Sequence, residues 1–144
     1  MKNQILFLER NSINFLSILF ILTAMIMVSC GGSSSQDKVR EEQLKEIKAK
    51  ATADLNALIN DIEERIEYLD EQIENASGET EQQLQDSRDE LEAQKERIED
   101  ELDKIEDASL ETWNDVIENT SEVTKDVRAK TNEISSEVRE ILEE

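Results

Sequence analysis

The residue with the most distinctive chemistry in this sequence is Cys30, the only cysteine among 144 residues. A thiol can act as a nucleophile when a base lies beside it, but the chain contains no histidine, the commonest base near neutral pH. One cysteine also cannot form a disulfide within the chain. Carboxylate runs such as Glu63-Glu64 and Glu99-Asp100-Glu101 fall on predicted helices, where they are typical of a solvated face. The sequence therefore predicts no catalytic residues and no enzyme activity.

Metals, cofactors and nucleic acid are not predicted as ligands either. The acidic residues form no twelve-residue loop with oxygen ligands at alternate positions, which calcium sites of that type need. The 36 acidic residues outnumber the 16 basic ones, and the formal net charge is -20. Because phosphate contacts need clustered Lys or Arg, this charge argues against nucleic-acid binding. We expect no metal site, no cofactor and no small-molecule substrate.

Cys30 directly follows an apolar segment, Ile13 to Val28, which is short for a membrane-crossing helix but normal for the core of a signal peptide. The residues Met27-Val28-Ser29-Cys30 resemble the lipobox of bacterial lipoproteins. The resemblance implies that residues 1–29 are a cleaved signal peptide and that Cys30 carries lipid, including palmitate-like acyl chains. It also implies anchoring in the bacterial cell envelope, and Gly31 after the cysteine favours the outer membrane over the inner membrane. An uncleaved membrane anchor is the alternative.

The mature chain is predicted to begin with a Gly/Ser tether, residues 30–37, and to continue as a helical domain over 38–144. The chain has no Pro and only three Gly, so the usual helix breakers are nearly absent. Apolar side chains recur from residue 44 with steps of three and four that repeat every eleven residues, which predicts a long helix with one narrow stripe. This first stripe consists of Leu44, Ile47, Ala51, Leu55, Leu58, Ile62, Ile66, Leu69 and Ile73.

Gly78 marks the strongest break in the mature chain. It suits the left-handed residue that closes a helix, and Thr80 with Gln83 suits the capping box of the next one. A second stripe follows, and antiparallel pairing of residues whose numbers sum to 157 aligns it with the first. The sequence therefore predicts an all-α fold built on a long antiparallel coiled-coil hairpin. The seam or partner residues are Leu44, Leu55, Ile59, Ile66, Ile73, Leu84, Leu91, Ile98, Leu102 and Trp113.

The C-terminal part of the sequence leaves two arrangements open. The eleven-residue spacing continues without a change of phase across residues 105–138, which favours one extended C-terminal helix. The alternative is a three-helix bundle, in which Asp107 or Ser109 caps a third helix that folds back. We expect the extended helix, and residues 114–144 would then pair in a homo-oligomer or lie on another surface.

Several segments carry a family resemblance. Asp61-Ile-Glu-Glu-Arg-Ile66, Gln83-Leu84, Glu90-Leu-Glu-Ala-Gln-Lys-Glu96 and Trp113-Asn-Asp-Val116 resemble bacterial long-helix coiled-coil stress proteins. Thr124-Lys-Asp-Val-Arg-Ala-Lys-Thr131 is also similar to eleven-residue repeats of desiccation-related and apolipoprotein-like helices. The resemblance covers residues 40–142 and implies a role in stress response without catalytic residues.

Charge is distributed unevenly along the sequence, which predicts a basic end over residues 38–50 beside the anchor and an acidic part over 61–122 that stands away from the membrane. We expect a non-catalytic, membrane-anchored coiled coil that acts as an envelope spacer, scaffold or stress-related interaction module. One alternative is that residues 114–142 bind lipid surfaces as an amphipathic helix. The other is an adaptor or inhibitor subunit of an envelope complex. The expected partners are the membrane, through the lipid, and a second copy or an envelope protein.

Overall fold

The computed structural model describes residues 34–143, which form three α-helices. These are α1 (Ser34–Ile73), α2 (Glu79–Asp107) and α3 (Trp113–Glu143). The expectation of an all-α fold is confirmed. The predicted signal peptide, residues 1–29, and Cys30 lie outside the described residues, and α1 begins within the segment that the sequence predicts as a tether.

The extended C-terminal helix predicted from the stripe is wrong, because the helix is interrupted between α2 and α3. Ala108 has an extended backbone with φ -61° and ψ 134°. Ser109 and Thr112 then form a capping box: N of Ser109 donates to Oγ1 of Thr112 at 2.9 Å, and N of Thr112 donates to Oγ of Ser109 at 3.3 Å. Residues 34–143 form three helices, as in the alternative prediction, and the bonds between Ser109 and Thr112 lie directly before the third.

Two ion pairs show how α1 and α2 run relative to each other. Nε of Arg88 lies 2.7 Å from Oδ1 of Asp70, and Nζ of Lys95 lies 2.6 Å from Oε1 of Glu63. Residues later in α2 therefore meet residues earlier in α1, so the two helices are antiparallel. Near the C-terminal end of α2, Nζ of Lys48 in α1 donates to the backbone oxygen of Glu106 at 2.7 Å. This bond satisfies a carbonyl in the last turn of α2.

The third helix packs against α2 in the opposite direction. Nζ of Lys130 lies 3.0 Å from Oε2 of Glu90, and Oγ1 of Thr120 donates to Oε2 of Glu101 at 2.7 Å. These two pairs make α3 antiparallel to α2. One cluster of buried side chains includes all three helices, and we call this arrangement the bundle.

The core of the bundle lies along the predicted stripes and is mostly aliphatic. Burying one such side chain fully stabilises a fold by roughly 1.5–3 kcal/mol, and no single helix could bury its own stripe. Residues Ser35–Glu144 form a compact unit that contains the whole of this core. The buried apolar residues are Leu55, Leu58, Ile59, Ile62, Leu69, Leu84, Leu91, Ile98, Ile105, Ala108, Trp113, Val127, Ile134 and Val138.

The first residues of α1 project beyond α2. Residues 38–43 are all exposed, and Lys48 already contacts the last turn of α2. At 1.5 Å per residue, the helix from Ser35 to Lys48 extends roughly 20 Å past that contact. We call residues 35–43 the projecting segment.

Folding brings together charges that the sequence separates. Because α2 runs back along α1, its last turns lie beside the basic start of α1, and Asp103 and Glu106 line the same groove as Lys48. The expectation of a basic end with a separate acidic part is therefore wrong within the described residues.

Gly78 supplies the turn between α1 and α2. It has φ 68° and ψ -129°, a conformation that residues with a Cβ rarely adopt. It directly precedes α2 rather than closing α1. The predicted Thr80 cap is wrong, since α2 begins at Glu79 and Gly78 itself is the capping residue, without a side-chain hydrogen bond.

We expect Gly78→Ala to lower the free energy of unfolding by about 1–2 kcal/mol, because alanine is strained at this φ although no atom lies within 4 Å of the added Cβ. Urea unfolding of residues 35–144, followed by circular dichroism, measures this. Ser77→Ala, at an exposed neighbour, is the control and should change the value by less than about 0.5 kcal/mol. Equal stability of wild type and Gly78→Ala would contradict the assigned backbone conformation.

Candidate functional site

The predicted seam residues all belong to the core or to its border. None of them forms a free apolar surface for a partner, because each packs against other residues of the same chain. Trp113, the first residue of α3, is 5 % exposed, whereas Tyr68 is 46 % exposed. Leu55, Ile59, Leu84, Leu91, Ile98 and Trp113 are buried, and Leu44, Ile66, Ile73 and Leu102 are half-buried against them.

Two shallow, solvent-open grooves run between α1 and α2. The Arg88–Asp70 ion pair crosses one, and Lys48 and Thr52 line the other. Between residues 34 and 143, acidic side chains form no group of three or more that could hold a metal ion. None of the three helices described carries an apolar stretch of the length that a bilayer crossing needs.

The most unusual side chain in the core is Glu101, whose side chain is 2 % exposed. The sequence predicts it on a solvated face with Glu99 and Asp100, and for Glu101 that prediction is wrong. Oγ1 of Thr120 donates to one carboxylate oxygen at 2.7 Å, and Nζ of Lys104 lies 2.5 Å from the other. Each oxygen therefore has a partner, which offsets much of the unfavourable free energy of removing a charge from water.

Glu101 belongs to a set of buried polar residues in α2 that we call the polar row: Ser87, Gln94 and Glu101. Oγ of Ser87 donates to the backbone oxygen of Gln83, and the side-chain oxygen of Gln94 accepts from Arg97. The row repeats every seven residues, and its members lie three positions after Leu84, Leu91 and Ile98. Sequence reasoning missed it because it followed only apolar side chains. The heptad spacing was the signal that could have found it.

Basic side chains tie α3 to α1. Arg65 donates a hydrogen bond to Oγ of Ser135 and also lies 3.1 Å from Oδ2 of Asp61. Burial lowers the pKa of Arg128, and the nearby carboxylates of Asp61 and Asp54 oppose that shift. An arginine stays charged in either case, so Arg128 places a positive charge against the acidic side of α1. Docking of α3 therefore depends on polar contacts as well as on aliphatic ones.

One buried hydroxyl in α3 is not satisfied. Thr131 is 1 % exposed, and its Oγ1 has no hydrogen-bond partner. An unpaired buried hydroxyl is unfavourable by about 1–3 kcal/mol relative to one that is bonded. Thr131 therefore makes the docking of α3 weaker than an apolar residue of the same shape would.

Comparison with known proteins identifies no family. No family model, no curated protein and no solved structure matches this chain. The resemblance to lipoproteins and to long-helix stress proteins stays a prediction from the residues quoted above.

Valine in place of the two buried threonines of α3 should have opposite effects. We expect Thr120→Val to lower the free energy of unfolding by about 1–3 kcal/mol, because it removes a donor to the buried Glu101 carboxylate. We expect Thr131→Val to raise it by roughly 1 kcal/mol, because it removes a hydroxyl that has no partner. Urea unfolding measures both. Equal losses in the two variants would show that the Glu101 contact has no special role.

Stability should also fall at alkaline pH. Hydrogen bonds to carboxylates are the largest cause that raises the pKa of three lysines above the ordinary 10.5: Lys95 with Glu63, Lys104 with Glu101, and Lys130 with Glu90. Because each pKa is higher in the folded chain, the stabilisation is complete below about pH 10.5 and is lost as the pH rises through the folded value. We expect the melting temperature to drop between about pH 10 and about pH 12.

Two triple variants test whether the loss of stability at alkaline pH comes from these three lysines or from the general increase in negative charge. Arginine at positions 95, 104 and 130 keeps its charge over this range, so it should remove most of the drop. Arginine at Lys38, Lys45 and Lys50, on the exposed start of α1, is the matched control and should leave the drop in place. An equal drop in both triple variants would mean that the paired lysines do not cause it.

Proposed function

We propose that this protein is a non-catalytic spacer and interaction module, anchored to the bacterial cell envelope by lipid on Cys30. The observation that carries the proposal is that the apolar stripes of the described helices pack against one another. Acidic residues outnumber basic ones 36 to 16 in the chain, so the charged side chains outside the core give it a net charge of -20. Such a molecule is suited to holding a charged surface in water rather than to binding a small substrate.

The projecting segment supports the role of spacer. Its sequence places Lys38 four residues before Glu42, and Glu41 lies four residues before Lys45, just beyond the segment; this spacing of opposite charges stabilises a helix without a partner. It lies between the predicted lipid-bearing cysteine and the core. We propose that it holds the bundle clear of the bilayer.

The pairing of α1 with α2 is proposed to be an antiparallel coiled coil. The Arg88–Asp70 and Lys95–Glu63 pairs flank the aliphatic seam, which is where coiled coils place charges that set register. The resemblance to long-helix stress proteins supports a stress-related role for this module. An adaptor or inhibitor subunit would use the same acidic surface and is a narrower form of the same proposal.

The lipid-surface alternative is less well supported. Val127 and Ile134, which would face lipid in an amphipathic helix, are both 0 % exposed in the bundle. Helix α3 would have to leave the bundle before it could bind a bilayer.

Metabolic labelling tests the anchor. We expect the full chain, expressed in bacteria, to incorporate an alkyne-labelled palmitate analogue, and Cys30→Ser to lose the label because the sulfur that accepts lipid is gone. Ser33→Ala, a nearby change that keeps the cysteine, is the matched control and should stay labelled. Labelling that persists in Cys30→Ser, or that is absent from the wild type, would rule out a lipid anchor at this residue.

A depth measurement tests the spacer. Fluorophores are attached in the lipid-anchored protein through Glu41→Cys, near the start of α1, or Ser77→Cys, in the turn after it; the stretch of α1 between them is roughly 50 Å long. In vesicles that contain nitroxide-labelled lipid, we expect quenching at position 41 and little at position 77. Equal quenching at both positions would mean that the protein lies along the membrane, as the lipid-surface alternative requires.

A further inference from the structure

We propose that two copies of this chain form a dimer by exchanging α3. In this dimer the hinge, residues Ala108–Thr112, straightens and joins α2 to α3 as one helix from Glu79 to Glu143. The α3 of each copy then packs on α1 and α2 of the other. The proposal concerns the helical domain and holds whether or not the chain is lipidated.

The first argument is the unbroken phase of the apolar stripe across the hinge. In the bundle, α3 runs antiparallel to α2. The apolar positions of α3 therefore need not continue the spacing of the apolar positions of α2. A continuous helix would place both on one face, because the steps stay at three or four throughout. The positions are Ile98, Leu102, Ile105, Ser109, Trp113, Val116, Thr120, Val123, Val127, Thr131, Ile134 and Val138.

The second argument is the composition of the hinge. It reads Ala-Ser-Leu-Glu-Thr and contains neither Gly nor Pro, so each residue can adopt a helical conformation. The hydrogen bonds between Ser109 and Thr112 start α3 at this point. Leu110 between them is 45 % exposed. In the dimer the two hinges lie at the two-fold axis, where each Leu110 can be covered by the other copy.

The third argument is that exchange preserves the contacts that dock α3. Glu101 with Thr120, Glu90 with Lys130, and Arg65 with Ser135 all join α3 to the other helices. Each pair can form between copies with the same geometry as within one chain. The free-energy difference between monomer and dimer therefore arises from three sources: the hinge, the region where the two copies meet (the junction), and the entropy of association.

The projecting segment opposes the exchange. Each α1 begins at the end of the bundle where α2 ends and α3 starts, and this end becomes the junction of the dimer. Residues 38–43 of both copies would therefore meet there and would have to bend away from each other. Shortening the chain so that it begins at Leu44 should accordingly increase the dimer fraction.

Two hinge variants shift the equilibrium in opposite directions. Ser109→Ala with Thr112→Ala removes the capping box and raises helix propensity, so we expect a dimer dissociation constant about tenfold lower or more. Leu110→Pro lies in the hinge, before the first residue of α3, where no helical hydrogen bond needs the N–H that proline lacks, but it would break a continuous helix at this position. We expect this variant to stay monomeric.

Light scattering after size exclusion measures the dimer fraction of residues 35–144, the unit that contains the whole core. Glu90→Cys with Lys130→Cys reports the path of the chain, because the described segment has no cysteine of its own. A short bismaleimide should link the two positions within one chain in the monomer peak and between chains in the dimer peak. Glu90→Cys alone is the control and should give no link.

Three results would overturn the proposal. The first is a double-alanine variant that stays monomeric at millimolar concentration. The second is a dimer whose cysteines link within each chain, which would show side-by-side association. The third is a Leu110→Pro variant that dimerises as well as the double-alanine variant while its circular dichroism shows a folded helical protein.

Discussion

Each helix of this protein carries an apolar stripe that is too narrow to be stable alone, and the fold follows from the need to bring three such stripes together. Ile62, Ile98 and Ile134 show the result, since each comes from a different helix and each is 0 % exposed. Aromatics are only 3 % of the residues. The core is therefore a thin row of mostly branched aliphatic side chains, and between residues 34 and 143 little apolar surface is left to form a pocket or a second binding face.

The acidic composition determines which polar residues lie where helices meet. A helix this rich in Asp and Glu repels its neighbours, so the bundle places basic residues where helices meet. Arg88 and Lys95 each bridge from α2 to a carboxylate on α1, and Lys130 bridges from α3 to α2. Such exposed pairs contribute little stability individually. They do fix the register, because a shift along the axis would bring carboxylates opposite one another.

The packing stripes could be predicted from the sequence because each depends on spacing within one helix. Leu55, Leu58 and Ile62 lie on the first stripe, and all three are buried. Matching two stripes across the turn predicted that α1 and α2 run antiparallel, and the Lys95–Glu63 pair joins them in that direction. Burial of Glu101 could not be deduced in this way, because its partner Thr120 lies on a helix whose direction depends on the hinge. The candidate lipidation site, Cys30, depends on local sequence alone and lies outside the described residues.

The break at Ser109 shows why periodicity could not decide between one helix and two. A stripe that keeps its phase is compatible with a straight helix and also with a reversal, since a reversed helix needs only its own apolar face. Local hydrogen bonding separates the two. The bonds between Ser109 and Thr112 satisfy backbone groups that a helix start leaves unpaired. Within one chain, folding back also buries α3 without the entropy loss of association. The few hydrogen bonds of the hinge are therefore enough to end α2 at Asp107. The apolar stripe, which keeps its phase across the hinge, is still compatible with a continuous helix when a second copy supplies the same core.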